Sequence, residues 1–113
     1  GRIDAYAAYE RAMELATPTI LGFALKPSYP NPFFSSTQID YELAETADVR
    51  LQIFDAAGRK IRDLLSADDQ PPDRYETTWN GRDDEGSLVP AGVYFCRLEA
   101  GGTTRSNRMI FIR

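Results

Sequence analysis

Residues 37–43 read Thr37-Gln38-Ile39-Asp40-Tyr41-Glu42-Leu43. Ile39, Tyr41 and Leu43 alternate with Gln38, Asp40 and Glu42, so every second side chain is apolar. Successive side chains of a strand point to opposite faces, and this stretch predicts a strand with one dry and one wet face. Residues Asp48–Asp55 repeat the pattern, with Val49, Leu51 and Ile53 on one side and Arg50 and Gln52 on the other. The following Asp55-Ala56-Ala57-Gly58 places an aspartate where a turn begins and a glycine where positive φ is wanted.

Working outward, Lys60–Leu65 resumes an extended pattern, and the polar stretch Ser66–Asp73, with Pro71 and Pro72, predicts a loop. Arg74–Trp79 alternates again, setting Tyr75, Thr77 and Trp79 on one side, and Asn80-Gly81 marks a tight turn. Pro90-Ala91-Gly92 leads into Val93–Glu99, and Ala100-Gly101-Gly102 forms a hairpin into a last strand, Thr103–Ile112. About seven short strands, counted from near Phe23 with no helix between them, predict an all-β antiparallel β-sandwich. Trp79 is its natural large core residue. No cysteine pair is present for an antibody-type disulfide, which leaves the wider architecture open.

The start of the chain is of another kind. Asp4 is a suitable N-cap, and residues 5–16 are rich in alanine, glutamate, leucine and methionine. Tyr6, Tyr9, Met13 and Ala16 fall on one helical face, and Pro18 ends the segment. This predicts one N-terminal α-helix whose tyrosine face needs something to pack on. Residues 1–22 therefore read as helix and linker, and 23–113 as the sandwich. The opening glycine suggests a piece of a longer protein.

Composition excludes several functions. Seventeen acids against 13 bases give a net charge of −4, which argues against nucleic acid as the main partner. No run approaches the ~20 apolar residues of a membrane-spanning helix. The sign is uneven, however: Arg97, Arg105, Arg108 and Arg113 face a single acid, Glu99, in the last stretch. A basic closing strand on an acidic body reads as an edge kept soluble by charge, or as a contact surface.

Histidine is absent, which removes the usual general base, the usual zinc ligand and any Ser-His-Asp triad. Asp83, Asp84 and Glu85 sit in a glycine-flanked turn. Aligning Gly86 with the sixth position of a calcium loop puts Gly81 first and Gly92 twelfth, where acids are required. A solvated turn fits better than a metal site. Cys96, the one cysteine, lies in the apolar run Val93-Tyr94-Phe95-Cys96 and reads as a buried thiol. Tyr29, Phe33, Phe34, Phe54 and Tyr75 could stack on a sugar, but aromatics of a small sandwich are more often core. These residues predict no catalysis, no cofactor and no metal.

Several motifs occur in a recognisable order: Tyr29-Pro30-Asn31-Pro32-Phe33, Ile39–Leu43, Val49–Asp55 with Gly58-Arg59, Trp79–Asp83 with Gly86, Gly92-Val93-Tyr94 with Leu98, and Arg108–Arg113. Together, over about residues 25–113, they resemble the C-terminal sorting domains of type IX secretion cargo and the related immunoglobulin-like domain of the flagellar hook-capping protein. Phe34-Ser35 departs from the family, which often continues with Asn-Pro. The resemblance implies an immunoglobulin-like sandwich that directs an upstream enzyme across the outer membrane through the secretion machinery. Cell-surface attachment or release would follow, via the periplasm of a Gram-negative-type bacterium. It carries the sorting signal onto Gly92, Val93 and Tyr94 and onto Asn107, Arg108, Met109, Ile110, Phe111, Ile112 and Arg113. Residues 1–8, Gly-Arg-Ile-Asp-Ala-Tyr-Ala-Ala, resemble the last helix of subtilisin-like serine protease domains. That implies a protease domain upstream in the same chain, with its catalytic residues outside this sequence. An accessory carbohydrate- or protein-binding module and a hook-cap-like structural domain are the alternatives.

Overall fold

The computed structural model describes residues 22–113; the expected helix and the protease-like segment lie outside the described residues. Seven strands follow one another: β1 (Ala24–Leu25), β2 (Thr37–Leu43), β3 (Ala47–Asp55), β4 (Lys60–Gln70), β5 (Asp73–Trp79), β6 (Gly92–Ala100) and β7 (Thr103–Phe111). A three-stranded sheet, β1-β2-β5, packs on a four-stranded sheet, β4-β3-β6-β7, and every pairing is antiparallel. The antiparallel sandwich expected from the alternating pattern, immunoglobulin-like as the family resemblance implies, is the fold.

The alternation dictates the core. Ile39, Tyr41 and Leu43 of β2 and Val49, Leu51 and Ile53 of β3 are all buried, while their neighbours in sequence reach the surface. Tyr94, Cys96 and Leu98 of β6 and Met109 and Phe111 of β7 complete the inner face of the larger sheet. Trp79, fully buried, stands edge-on to both Phe33 and Tyr94, at centroid distances of 5.6 and 5.3 Å. Its indole N–H donates to the Arg82 carbonyl at 2.9 Å, which satisfies the one polar atom the ring takes inside.

Two turns are built as their residues require. The Asp55 carboxylate accepts the amides of Ala57 and Arg59 at 3.0 and 2.9 Å, and Gly58 takes φ +88°. Gly101 and Gly102, at φ +56° and +81°, close a two-residue hairpin between Ala100 and Thr103.

The expected loop at Ser66–Asp73 is not one. β4 continues to Gln70, leaving only Pro71 and Pro72 before β5. Polarity misleads here because β4 is an edge strand with Asp68 and Asp69 facing water. A register shift opposite Ala47–Val49 and the positive φ of Asp69 mark a bulge, held by Asp69 N–H donating to the Asp48 carboxylate at 2.9 Å.

Candidate functional site

The two segments assigned to a sorting signal are cross-strand partners. Gly92, Val93 and Tyr94 lie directly opposite Phe111, Ile110 and Met109. Eight of the ten residues therefore form one end of the β6-β7 ladder, with Ile112 and Arg113 just beyond it, but their side chains divide by face. Tyr94, Met109 and Phe111 point inward and are 5% exposed or less, whereas Val93 and Arg108 are exposed and Ile110 is half-buried.

The inward set is structural. The Tyr94 hydroxyl donates to the carbonyl of Pro90, four residues upstream, as the tyrosine corner of immunoglobulin-like domains does. Burial raises its phenol above the ordinary value, helped by the nearby Asp55 charge. Tyr75 makes the same i−4 bond to Pro71 at 2.6 Å on β5. Phe111 stacks on Phe33, and the Arg113 guanidinium lies 5.8 Å above the Phe111 ring while donating to Val89 O at 2.9 Å.

β7 is an edge strand, as expected, yet half of that edge is already covered. Ile110 O accepts from Phe33 N–H and Ile112 N–H donates to Phe33 O, both at 2.9 Å. The Asn31 side chain accepts from Ile110 N–H at 2.9 Å and donates to Arg108 O at 3.0 Å. Asn107 reaches across the sandwich to donate to the carbonyls of Leu25 and Lys26 at 3.2 and 2.9 Å. Among the described residues, the outer edge of β7 is thus left uncovered only toward Thr104 and Ser106. Tyr29-Pro30-Asn31-Pro32-Phe33 covers the rest, with Phe33 fully buried and its neighbour Phe34 69% exposed.

The outward set belongs to a larger surface. One row crosses the four-stranded sheet in the order Lys60, Phe54, Phe95, Arg108, each residue the registered partner of the next. The Arg97 guanidinium lies 4.5 Å from the Phe54 ring centroid, within the range of a cation–π contact. Phe54, Asp55, Phe95, Arg97 and Ser106 line a shallow groove of about 280 Å³. Phe95 and Arg97 were missing from the expected site. The run Val93-Tyr94-Phe95-Cys96 hides its alternation because both faces are apolar there, although period two from the buried Tyr94 puts Phe95 outside.

The acidic turn is occupied with itself. Asp83 Oδ1 accepts the amides of Glu85 and Ser87 at 3.0 and 2.9 Å, and Asp84 Oδ1 accepts Asp63 N–H at 2.9 Å, covering part of the β4 edge. Among the described residues no group of histidine, cysteine or acidic side chains is placed to hold a metal ion. Nor is any helix among them long and apolar enough to cross a membrane. Cys96 is buried, and desolvation pushes its thiol up to about 12.

The fold has counterparts among solved structures. It is similar to a part of dimeric latent PorU from Porphyromonas gingivalis, at 18% identity and a TM-score of 0.64, covering 86% of this chain and 10% of that one. PorZ, described as an essential surface component of the type-IX secretion system of the same bacterium, gives 24% identity and a TM-score of 0.52, over 81% of this chain and 12% of PorZ. Part of the DNA glycosylase AlkC of Pseudomonas fluorescens, in a complex with DNA, gives 10% identity and a TM-score of 0.51, over 91% and 34%. This chain thus spans about a tenth of the first two proteins, and the likenesses are of fold. None of the curated proteins compared matches in sequence. The sequence pattern described as the FlgD Ig-like domain matches residues 33–104, from the buried Phe33 to the second residue of β7. That span is well over half of the chain, which belongs to the FlgD Ig-like domain family.

Proposed function

We propose that this domain is a non-catalytic sorting module that directs secretion and cell-surface attachment or release of the protein carrying it. The passenger on this reading is an upstream subtilisin-like protease. The observation that carries the reading is the pairing of the two signal segments. Gly92-Val93-Tyr94 and Asn107–Arg113 lie at the open end of a single hairpin, where Gly92, Val93 and Tyr94 pair with Phe111, Ile110 and Met109. A receptor could read both at once. The motif order supports it, as does the fold shared with PorZ, itself a surface component of a type-IX system. The missing histidine and the self-capped acidic turn support a role without catalysis. The partners on this reading are the outer-membrane secretion machinery and the passenger domain.

Deleting Asn107–Arg113 from the protein that carries this domain should leave it in the periplasm, and normal secretion of that truncation would sink the reading. A hook-cap-like structural role is the second reading, favoured by the family itself. It predicts flagellar rather than protease sequence upstream.

A further inference from the structure

The outer face of the four-stranded sheet is divided along the strands. Toward the Gly101-Gly102 hairpin its charges are paired: Arg50 with Asp68 at 3.4 Å and Arg97 with Glu99 at 3.1 Å. Toward the opposite end the face turns apolar, where Phe54 adjoins Phe95 and Val93 pairs with Ile110. Val93 and Phe95 are 37% and 36% exposed, on strands whose inward side chains are almost wholly buried. Contiguous apolar surface rimmed by polar groups marks interaction sites on soluble domains.

The acids beside this patch are already paired: Asp55 with Arg59 at 3.0 Å and Glu99 with Arg97 at 3.1 Å. Arg108 stands directly across from Phe95 and Lys60 directly across from Phe54. Lys60 is paired with Asp63 at 2.9 Å, but Arg108 has no ion pair with any described carboxylate. Arg97 keeps its guanidinium over Phe54 although its Nε has no hydrogen-bond partner among the described residues. An aromatic and aliphatic floor between guanidinium groups is the composition of an interface core.

From this geometry we infer that the face formed by Phe54, Val93, Phe95, Arg97, Arg108 and Ile110 docks an acidic segment of a partner protein. An apolar side chain of that segment lies on the Phe95–Val93 floor, and a carboxylate beside it pairs with Arg108. Branched Val93 and Ile110 carry no hydrogen-bonding groups, which suits an apolar side chain rather than a hydroxylated sugar ring. The inference deepens the sorting reading by assigning the surface at which the domain is recognised, and it is tested apart from secretion.

The test uses the whole 113-residue chain, labelled for amide NMR. The probe is an acetylated eight-residue peptide alternating leucine and glutamate; a leucine–lysine peptide and a uronic-acid oligosaccharide are the controls. The acidic peptide should shift the amides of Phe54, Val93, Phe95 and Ile110. Arg108→Glu should weaken it by about tenfold, as expected for loss of one charge-assisted contact. Rescue of the lysine peptide by Arg108→Glu would add support. Equal binding of both peptides to the unmodified chain, shifts confined to the other sheet, or no shifts would overturn the inference. So would binding of the oligosaccharide alone, in favour of a glycan. Loss of this binding with secretion intact in the reporter assay below would leave the sorting reading standing and remove only the face.

Discussion

The rings of Phe33 and Phe111 stack at a centroid distance of 4.8 Å and an interplanar angle of 15°, both wholly inside the sandwich. The last strand is thereby core as well as edge. Phe33 holds it from both sides, through its ring and through its two backbone bonds to Ile110 and Ile112. Phe111→Ala should lower unfolding stability by about 3–5 kcal/mol, the usual cost of emptying a phenylalanine site. Urea unfolding followed by Trp79 fluorescence measures it, and a loss below about 1 kcal/mol would mean that the strand is only loosely attached.

Gly81 supplies a second test of the same packing. A Cβ built there would lie 2.8 Å from Phe111 Cζ, and the residue has φ +74°. Gly81→Ala therefore combines a steric clash with backbone strain, while Gly58→Ala, at φ +88° with open space around it, brings strain alone. The first should cost about 2–4 kcal/mol and the second about 1 kcal/mol, compared by thermal unfolding. Equal costs would show that the ring yields freely.

The tyrosine corner can be tested by deleting one atom. Tyr94→Phe keeps the ring against Trp79 and removes the bond to Pro90 O. Stability should fall by about 1 kcal/mol, and the melting temperature by roughly 4–8 °C. An unchanged melting temperature would assign Tyr94 to packing alone.

Alkaline pH should loosen the domain through Cys96. Its thiol is pushed from an ordinary 9.0 up to about 12 by burial, so the folded chain keeps a proton that the unfolded chain has released. The stabilisation is whole below pH ~9 and drains as pH rises toward ~12, by about 1.4 kcal/mol per unit within that window. Tyr41 and Tyr94, also raised chiefly by burial, act in the same direction at higher pH. Cys96→Ala should flatten the slope of stability against pH between about 9 and 9.5, roughly below the ordinary tyrosine value at which the unfolded chain's phenols begin to add their own slope. A slope identical to that of the unmodified chain would contradict the buried-thiol account.

Much of this was legible because the sandwich obeys period two. Ile39, Leu51 and Trp79 declare their faces by the polarity of their neighbours, and Gly58 and Gly101-Gly102 declare their turns. What escaped lay where that signal fails. The outer half of β4 is polar because an edge strand needs no second apolar face, so it reads like a loop. The Tyr29–Phe33 segment carries no periodicity at all. Only the fold brings Asn31 within reach of Ile110, 79 residues away. Of the candidate site, the two segments were visible, and the hairpin read at Ala100-Gly101-Gly102 already implied that they pair. Phe95 was hidden by apolar neighbours, and Arg97 became part of the surface only when β3 laid Phe54 beneath it.

The central claim, that this domain is read as a sorting module, is tested most directly by export of a foreign passenger. A monomeric fluorescent reporter with a periplasmic leader is joined ahead of the whole chain and expressed in a bacterium with a type-IX system. Fractionation and surface labelling then locate it. A sorting module sends the reporter to the cell surface or the medium, and does so only in cells with an intact system. A reporter that stays in the periplasm, with the domain folded and protease-resistant, contradicts the claim.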